Sequence, residues 1–317
     1  MKPKDVSYKP GVVQWLQAGD PAIRWQVMRD ILGEPKAAYE PVRTMIATSG
    51  WGARFLALQD ETGTWANGLY GPKWTSTTYT MLQLRRLGLA QDNRQAKSAC
   101  ELLLSKGLYT DGGINYFKSF SHSETCVTAM VLSLVAYFRH WLSDARPLVD
   151  YLLQQQMNDG GWNCDSYNGA THSSFHTTIS ALEGLREWER ATTYRRNEIQ
   201  QSRSRAVEFL LVHRLCKSHR TGEVFDPKMT RLSFPPRWKY DILRVLDFFA
   251  ECNIAYDERM SDAFALIRKK EDAKGRLPLQ QKYSGRIWFD MEEVGKPSRW
   301  NTLRWLRVKR RYTGALR

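Results

Sequence analysis

Cys164, His172 and His176 fall within thirteen positions in the stretch NDGGWNCDSYNGATHSSFHTTISALEGL, residues 158–185. Thiolate and imidazole are side chains that zinc favours, and Asp165 adds a neighbouring carboxylate. Two readings follow: a local metal site, or a structural unit that carries one Cys and two His. A second set joins aromatic rings to cations, with Trp25, Trp74, Trp238, Tyr240 and Trp300 beside Arg24, Lys73, Arg237 and Arg299. Such a lining suits a prenyl or polycyclic substrate carrying diphosphate, or a stacked base with its phosphates. The alternative is packing: tryptophans that hold one segment on the next, and arginines that cap carbonyls or pair with Asp. Asp241 and Asn301 stand at the same level as candidate hydrogen-bonding groups.

A repeat positions these residues. Six segments begin polar or aromatic and then run apolar at helical spacing: 21–32, 73–89, 122–138, 172–185, 236–249 and 298–312. They recur at intervals of about fifty to sixty residues, long enough for a helical pair. Each of the last five follows a second amphipathic helix, such as 147–157 or 204–215, and a glycine-bearing turn. The turns are ETGTW, TDGGI, NDGGW, TGEVF and KGRLP; glycine stops a helix because it enters the left-handed region without a Cβ clash. The unit is outer helix, turn, loop, inner helix, and six inner helices close a ring. The pattern predicts an all-α six-fold α/α toroid (barrel) of outer and inner helices, a single domain over 1–317. Residues 296–317 form its basic C-terminal inner helix and tail. An open solenoid or a two-domain arrangement is the competing architecture.

With 317 residues, 42% of them apolar, and twelve tryptophans, the chain can bury a substantial core. Five scattered cysteines make no disulfide framework. No run is long and apolar enough for a transmembrane segment, and MKPKDVSYKP lacks a signal-peptide core, so a soluble, cytoplasmic bacterial protein is expected. The formal charge is +14, with eight basic and no acidic residues in 296–317. A nucleic acid, an anionic membrane face or a phosphorylated substrate would meet this charge; the competing reading is a solvated basic helix end.

The DGGW turn followed by a helix resembles the repeat of squalene cyclases and protein prenyltransferase β subunits, which share the α/α toroid. Glu124-Thr125-Cys126 resembles the Asp-x-Cys pair that holds catalytic zinc in prenyltransferases, and His176 resembles the ligand on the next inner helix. Counting back six positions from Leu132 and Leu182 gives Cys126 and His176, equivalent places in successive repeats. The resemblance implies a zinc ion on Glu124, Cys126 and His176, with His122, Cys164 and His172 as secondary ligands. Such an ion would hold a thiol as thiolate or acidify a bound water. Val127 departs from the family, which has a tyrosine there, and only Lys118 and His122 stand where the family gathers basic residues for diphosphate. The DxDD acid of terpene cyclases is absent; Asp290-Met291-Glu292-Glu293 is its nearest counterpart and reads otherwise as a solvated loop or a helix-start charge cluster.

The resemblance therefore implies a prenyltransferase- or terpene cyclase-like enzyme, zinc-assisted, acting on an isoprenoid-like or thiol-containing small molecule in a central cavity. Glu124, Cys126, His176 and Asp241 are its candidate catalytic residues. Lys118, Trp74, Trp238, Tyr240, Arg237, Trp300 and Asn301 are its candidate substrate contacts. The alternative function is a non-catalytic basic toroid that binds nucleic acid or another polyanion.

Overall fold

The computed structural model describes residues 8–314; the last three residues of the basic tail, 315–317, lie outside the described residues. In chain order the helices are α1 (Val12–Gln17), α2 (Pro21–Gln26), α3 (Lys36–Thr44), α4 (Gly50–Leu56), α5 (Thr77–Leu87), α6 (Arg94–Gly107) and α7 (Thr125–Tyr137). Then follow α8 (Arg146–Gln154), α9 (Phe175–Ala191), α10 (Arg196–Val212), α11 (Ile242–Glu251), α12 (Ser261–Arg268) and α13 (Arg299–Tyr312). A π-helical turn, Val27–Leu32, continues α2. Two short strands, β1 (Leu277–Pro278) and β2 (Pro297–Ser298), pair antiparallel just before α13.

The inner ring is α2, α5, α7, α9, α11 and α13; α4, α6, α8, α10 and α12 are the outer helices that precede the last five. The ring closes because α13 packs on α11 at one side and on α2 with its π-helical extension at the other. Trp25 and Gln26 of α2 donate to the Leu87 and Arg86 carbonyls at the end of α5. The result is a six-fold α/α toroid. Its inner helices are buried almost all round: α7 is buried from Thr125 through Ala136. Gly184 of α9 lets the Ala129 carbonyl of α7 come so close that a Cβ would sit 2.6 Å from it.

Four of the six repeats are locked by a threonine at the start of the inner helix or one turn into it. The hydroxyls of Thr77, Thr128, Thr178 and Thr302 accept the backbone N–H of Trp65, Ile114, Trp162 and Leu277 in the glycine turns. These N–H groups are buried, so each bond removes an unsatisfied donor. The two DGG turns add a carboxylate: Asp111 accepts from Ser123 N, and Asp159 from Ser173 N, both at 2.8 Å. A Cβ on Gly161 would lie 2.6 Å from Ser173 and Thr178, so the turn needs a residue with no side chain there.

The basic C-terminal segment turns inward. Arg304 is buried, Arg307 bonds Asp247, Lys309 bonds Glu271, and Arg310 donates to the Ile31 carbonyl. Arg304 and Arg307 spend their charge at the ring cavity, whereas Lys296 and Arg311 are exposed. Among the described residues no helix is long and apolar enough to cross a membrane.

Candidate active site

The N-terminal ends of the inner helices bring most of the residues singled out above into one cluster. Glu124 is the N-cap of α7, yet its side chain makes no cap bond. Its Oε2 is buried without a hydrogen-bond partner. Burial pushes its carboxyl above the usual carboxylate range, against the opposing pull of the Lys73 ammonium. Lys73 also lies 5.4, 5.9 and 5.8 Å from the ring centres of Tyr70, Trp74 and Trp238. Tyr79 donates to the Tyr70 hydroxyl at 2.9 Å and packs edge-on to Trp74 at 4.8 Å. Arg237 lies 5.5 Å from the Trp74 ring centre, and burial lowers its guanidinium to about 10.

His176 is held by the following repeat. Its Nδ1 accepts the Tyr240 backbone N–H at 2.8 Å, and its ring stands edge-on to Trp238 at 5.2 Å. Burial, with Lys239 and Arg244 adding positive charge, lowers the imidazole to about 4. The ring is therefore neutral, and with Nδ1 accepting, the proton sits on Nε2. Cys126 is likewise engaged with its own following repeat. Its backbone N–H donates to Cys164 Sγ at 3.0 Å. The hydrogen bond to Cys164 and burial push the Cys126 thiol well up, while the same bond holds the Cys164 thiol low.

These contacts decide the fit of zinc. Cys126 and His176 do occupy equivalent positions, the second residues of α7 and α9. Equivalent residues in a ring face their next neighbours in the same way, so each spends its polar atoms on the repeat ahead instead of meeting the other. The His176 tautomer also withholds the Nε2 lone pair that a metal would need. The secondary residues do not repair this. His122 stacks on Phe120 and Tyr167, and His172 is exposed, its carbonyl accepting from Asn163. Among the described residues no three His, Cys, Asp or Glu groups are placed to hold a metal ion. Glu124, Cys126 and His176 therefore do not fit a zinc ion as a ligand set.

The remaining candidates divide by position. Asp241 is the N-cap of α11, fully buried, accepting from Arg244 N and Ser233 Oγ. Tyr240 is buried and donates its hydroxyl to the Leu215 carbonyl. Asn301 donates to the Pro278 carbonyl and leaves Oδ1 buried and unpartnered. Trp300 stacks on Phe234 at 4.5 Å. Lys118 is exposed, next to Phe117, which packs edge-on to Tyr70. In the acidic run, Asp290 pairs with Lys282, and Glu292 accepts from Trp300 N at the start of α13.

Sequence reasoning missed the segment that covers this end. Residues 282–292 fold over it: Arg286 exchanges backbone hydrogen bonds with Lys73 and Trp74, and Trp288 Nε1 reaches Thr80 of α5 at 3.1 Å. Phe289 packs on Phe55 at 4.6 Å beneath the Arg54 guanidinium. A cavity of about 220 Å³ lies under this strap, lined by Phe234, Arg237, Ile287, Phe289 and Met291 among others. A larger cavity of about 540 Å³ occupies the opposite, C-terminal end of the inner helices. Of the substrate contacts expected from sequence, only Trp300 lines it.

No protein-family model matches the chain, and no curated protein matches it. Solved structures do resemble it. A glycosyl hydrolase family 88 structure from Bacteroides vulgatus aligns over 99% of this chain and 94% of its own, with TM-score 0.51 and 13% identity. A type II terpene cyclase, MstE from Scytonema, aligns over 93% and 88% with TM-score 0.47 and 19% identity. A protein from Actinoplanes aligns over 93% and 90% with TM-score 0.48 and 15% identity. At these identities what is shared is architecture, and by its architecture this chain is an α/α toroid.

Proposed function

We propose that this toroid is a terpene cyclase-like enzyme that protonates an isoprenoid-like substrate at the N-terminal end of its ring, with Glu124 as general acid. The observation that carries this reading is the Glu124 carboxyl itself: buried, raised by burial, and with one oxygen left unpartnered. A carboxyl that burial makes hold its proton more tightly than usual is suited to donate it in a confined site. Its proton would add to an alkene carbon, the π electrons forming the new C–H bond and leaving a cation on the adjacent carbon. The Glu124 carboxylate left behind is offset by Lys73. Tyr70, Trp74, Tyr79 and Trp238 supply the π faces that stabilise a cation without trapping it as a nucleophile would. Arg237, and Lys118 at the rim, are the groups for an anionic end of the substrate. His176 presents a neutral Nε2–H, fixed by Tyr240. A thiol substrate has no support once the metal set fails.

The test is incubation with polyprenyl alcohols, diphosphates and aryl-linked polyenes, with products read by mass spectrometry and NMR. Cyclisation is an isomerisation, so a product of unchanged mass and fewer double bonds is expected. Glu124→Gln should lower its rate by about 10²–10⁴-fold while the protein stays folded. Equal turnover by the variant, or no isomer from any polyene, would overturn the assignment.

A further inference from the structure

The cavity at the C-terminal end of the inner helices holds more cations than its carboxylates neutralise. Ten arginines line its 540 Å³, against four carboxylates, Glu183, Glu187, Asp247 and Glu251. Three more carboxylates, Asp30, Glu40 and Asp241, reach lining arginines from behind the wall. Ten guanidiniums thus face seven carboxylates, a surplus of three positive charges. The paired groups are heavily shared. Glu183 takes a fork from Arg244 at 2.7 and 3.0 Å and a bond from Arg85 at 3.3 Å, and stands 3.7 Å from Arg86. Asp247 takes both Arg304 and Arg307.

Helix C-termini attract arginines on their own account, because free carbonyls collect there. Arg43 is such a case, donating to the Gly88 and Leu89 carbonyls. Arg86 and Arg304 are different. Each spends part of its fork on the wall and keeps a buried Nη1 with no partner at all, and Arg85 and Arg186 each keep an unpartnered Nε. The Arg85, Arg244 and Arg304 side chains are 6%, 4% and 5% exposed, whereas Arg190 is 52% and Arg29 41% exposed. The cavity therefore has exposed arginines at its rim and largely buried ones, Arg85, Arg86, Arg244 and Arg304, deeper in its lining. An unpaired buried cation is costly, and planar guanidinium donors match phosphate oxygens in geometry.

We propose that this cavity is a binding site for an organic phosphate or diphosphate, whose oxyanion end is gripped by Arg86 and Arg304. The volume exceeds what a bare anion needs and falls in the range of small-molecule sites. Trp25, Tyr137, Phe248 and Trp300 in the same wall supply contact for an organic portion. The site is distinct from Glu124, which sits at the other end of the ring.

The test uses inorganic diphosphate as probe, titrated into the whole protein and followed by ³¹P NMR and thermal melting at matched ionic strength, against chloride. Saturable binding with a raised Tm, weakening as salt rises, is expected in the wild type and in Glu124→Gln. Arg86→Met and Arg304→Met should each weaken binding at least tenfold, and Arg220→Ala on the surface should not. A wild type with no saturable ³¹P change overturns the proposal whatever the variants do. So does binding that is unchanged in both Arg86→Met and Arg304→Met. A loss of diphosphate binding in Glu124→Gln would also overturn it, since the probe would then report the other end of the ring.

Discussion

His176 Nδ1 accepts the backbone N–H of Tyr240 at 2.8 Å, so the second residue of one inner helix fastens the chain that leads into the next. The bond needs an unprotonated Nδ1. It ties a titration to the join between the fourth and fifth repeats.

Because the folded imidazole sits at about 4, below its ordinary value, the unfolded chain binds the proton first as pH falls. The stability contributed is complete above pH 6.5 and is lost as pH drops from there toward 4, roughly 3 kcal/mol over that window. Urea unfolding from pH 7 to 4 should show this loss in the wild type and much less of it in His176→Gln. Parallel profiles for the two proteins would remove His176 from the account.

Glu124 has the opposite sign. A carboxyl raised in the folded state favours folding at low pH and opposes it once pH climbs through the folded value, because the cost of burying the charge exceeds what Lys73 returns. Glu124→Gln should accordingly melt higher than the wild type at pH 8 and with little difference at pH 4. A variant less stable at pH 8 would mean that the carboxylate is ionised and paired.

Gly184 lies against the Ala129 carbonyl, where a Cβ would approach to 2.6 Å. Backbone cannot yield as a flexible side chain can, so Gly184→Ala should force α7 and α9 apart and cost about 1–3 kcal/mol. This is a loss where a helix interior would ordinarily gain from Gly→Ala. Chemical denaturation with an unchanged m-value reads the effect directly, and a stabilised variant would contradict the packing described.

Glu183 is the carboxylate around which Arg85, Arg86 and Arg244 gather. Burial alone would raise it, but the bonded Arg244 and the charges of Arg86 and Arg85 hold it well below the usual range. Glu183→Gln leaves these cations short of a counter-charge and should cost about 3–5 kcal/mol. Arg86→Met, by contrast, removes a surplus charge and should leave Tm unchanged or higher in the absence of diphosphate. If both variants lose stability equally, Arg86 is a paired structural cation.

The sequence by itself carried the repeat, because its signals are local. Apolar periodicity marks the inner helices, glycine marks their preceding turns, and Asp111 and Asp159 recur in the same DGG turn. Even the equivalence of Cys126 and His176 is readable by counting. Their separation is not: only the ring geometry shows that equivalent residues face forward to Cys164 and Tyr240, which is why the zinc set does not assemble. The strap over 282–292 was hidden because its bonds to Lys73, Trp74 and Thr80 join residues some two hundred positions apart. The arginine-lined cavity was hidden for a related reason. Arg86, Arg186 and Arg304 each read in sequence as a cation on an amphipathic helix, where solvent is the usual surrounding. Ring closure turns six such helix ends toward one axis, and that convergence makes a buried, positively charged chamber out of residues that are unremarkable one by one.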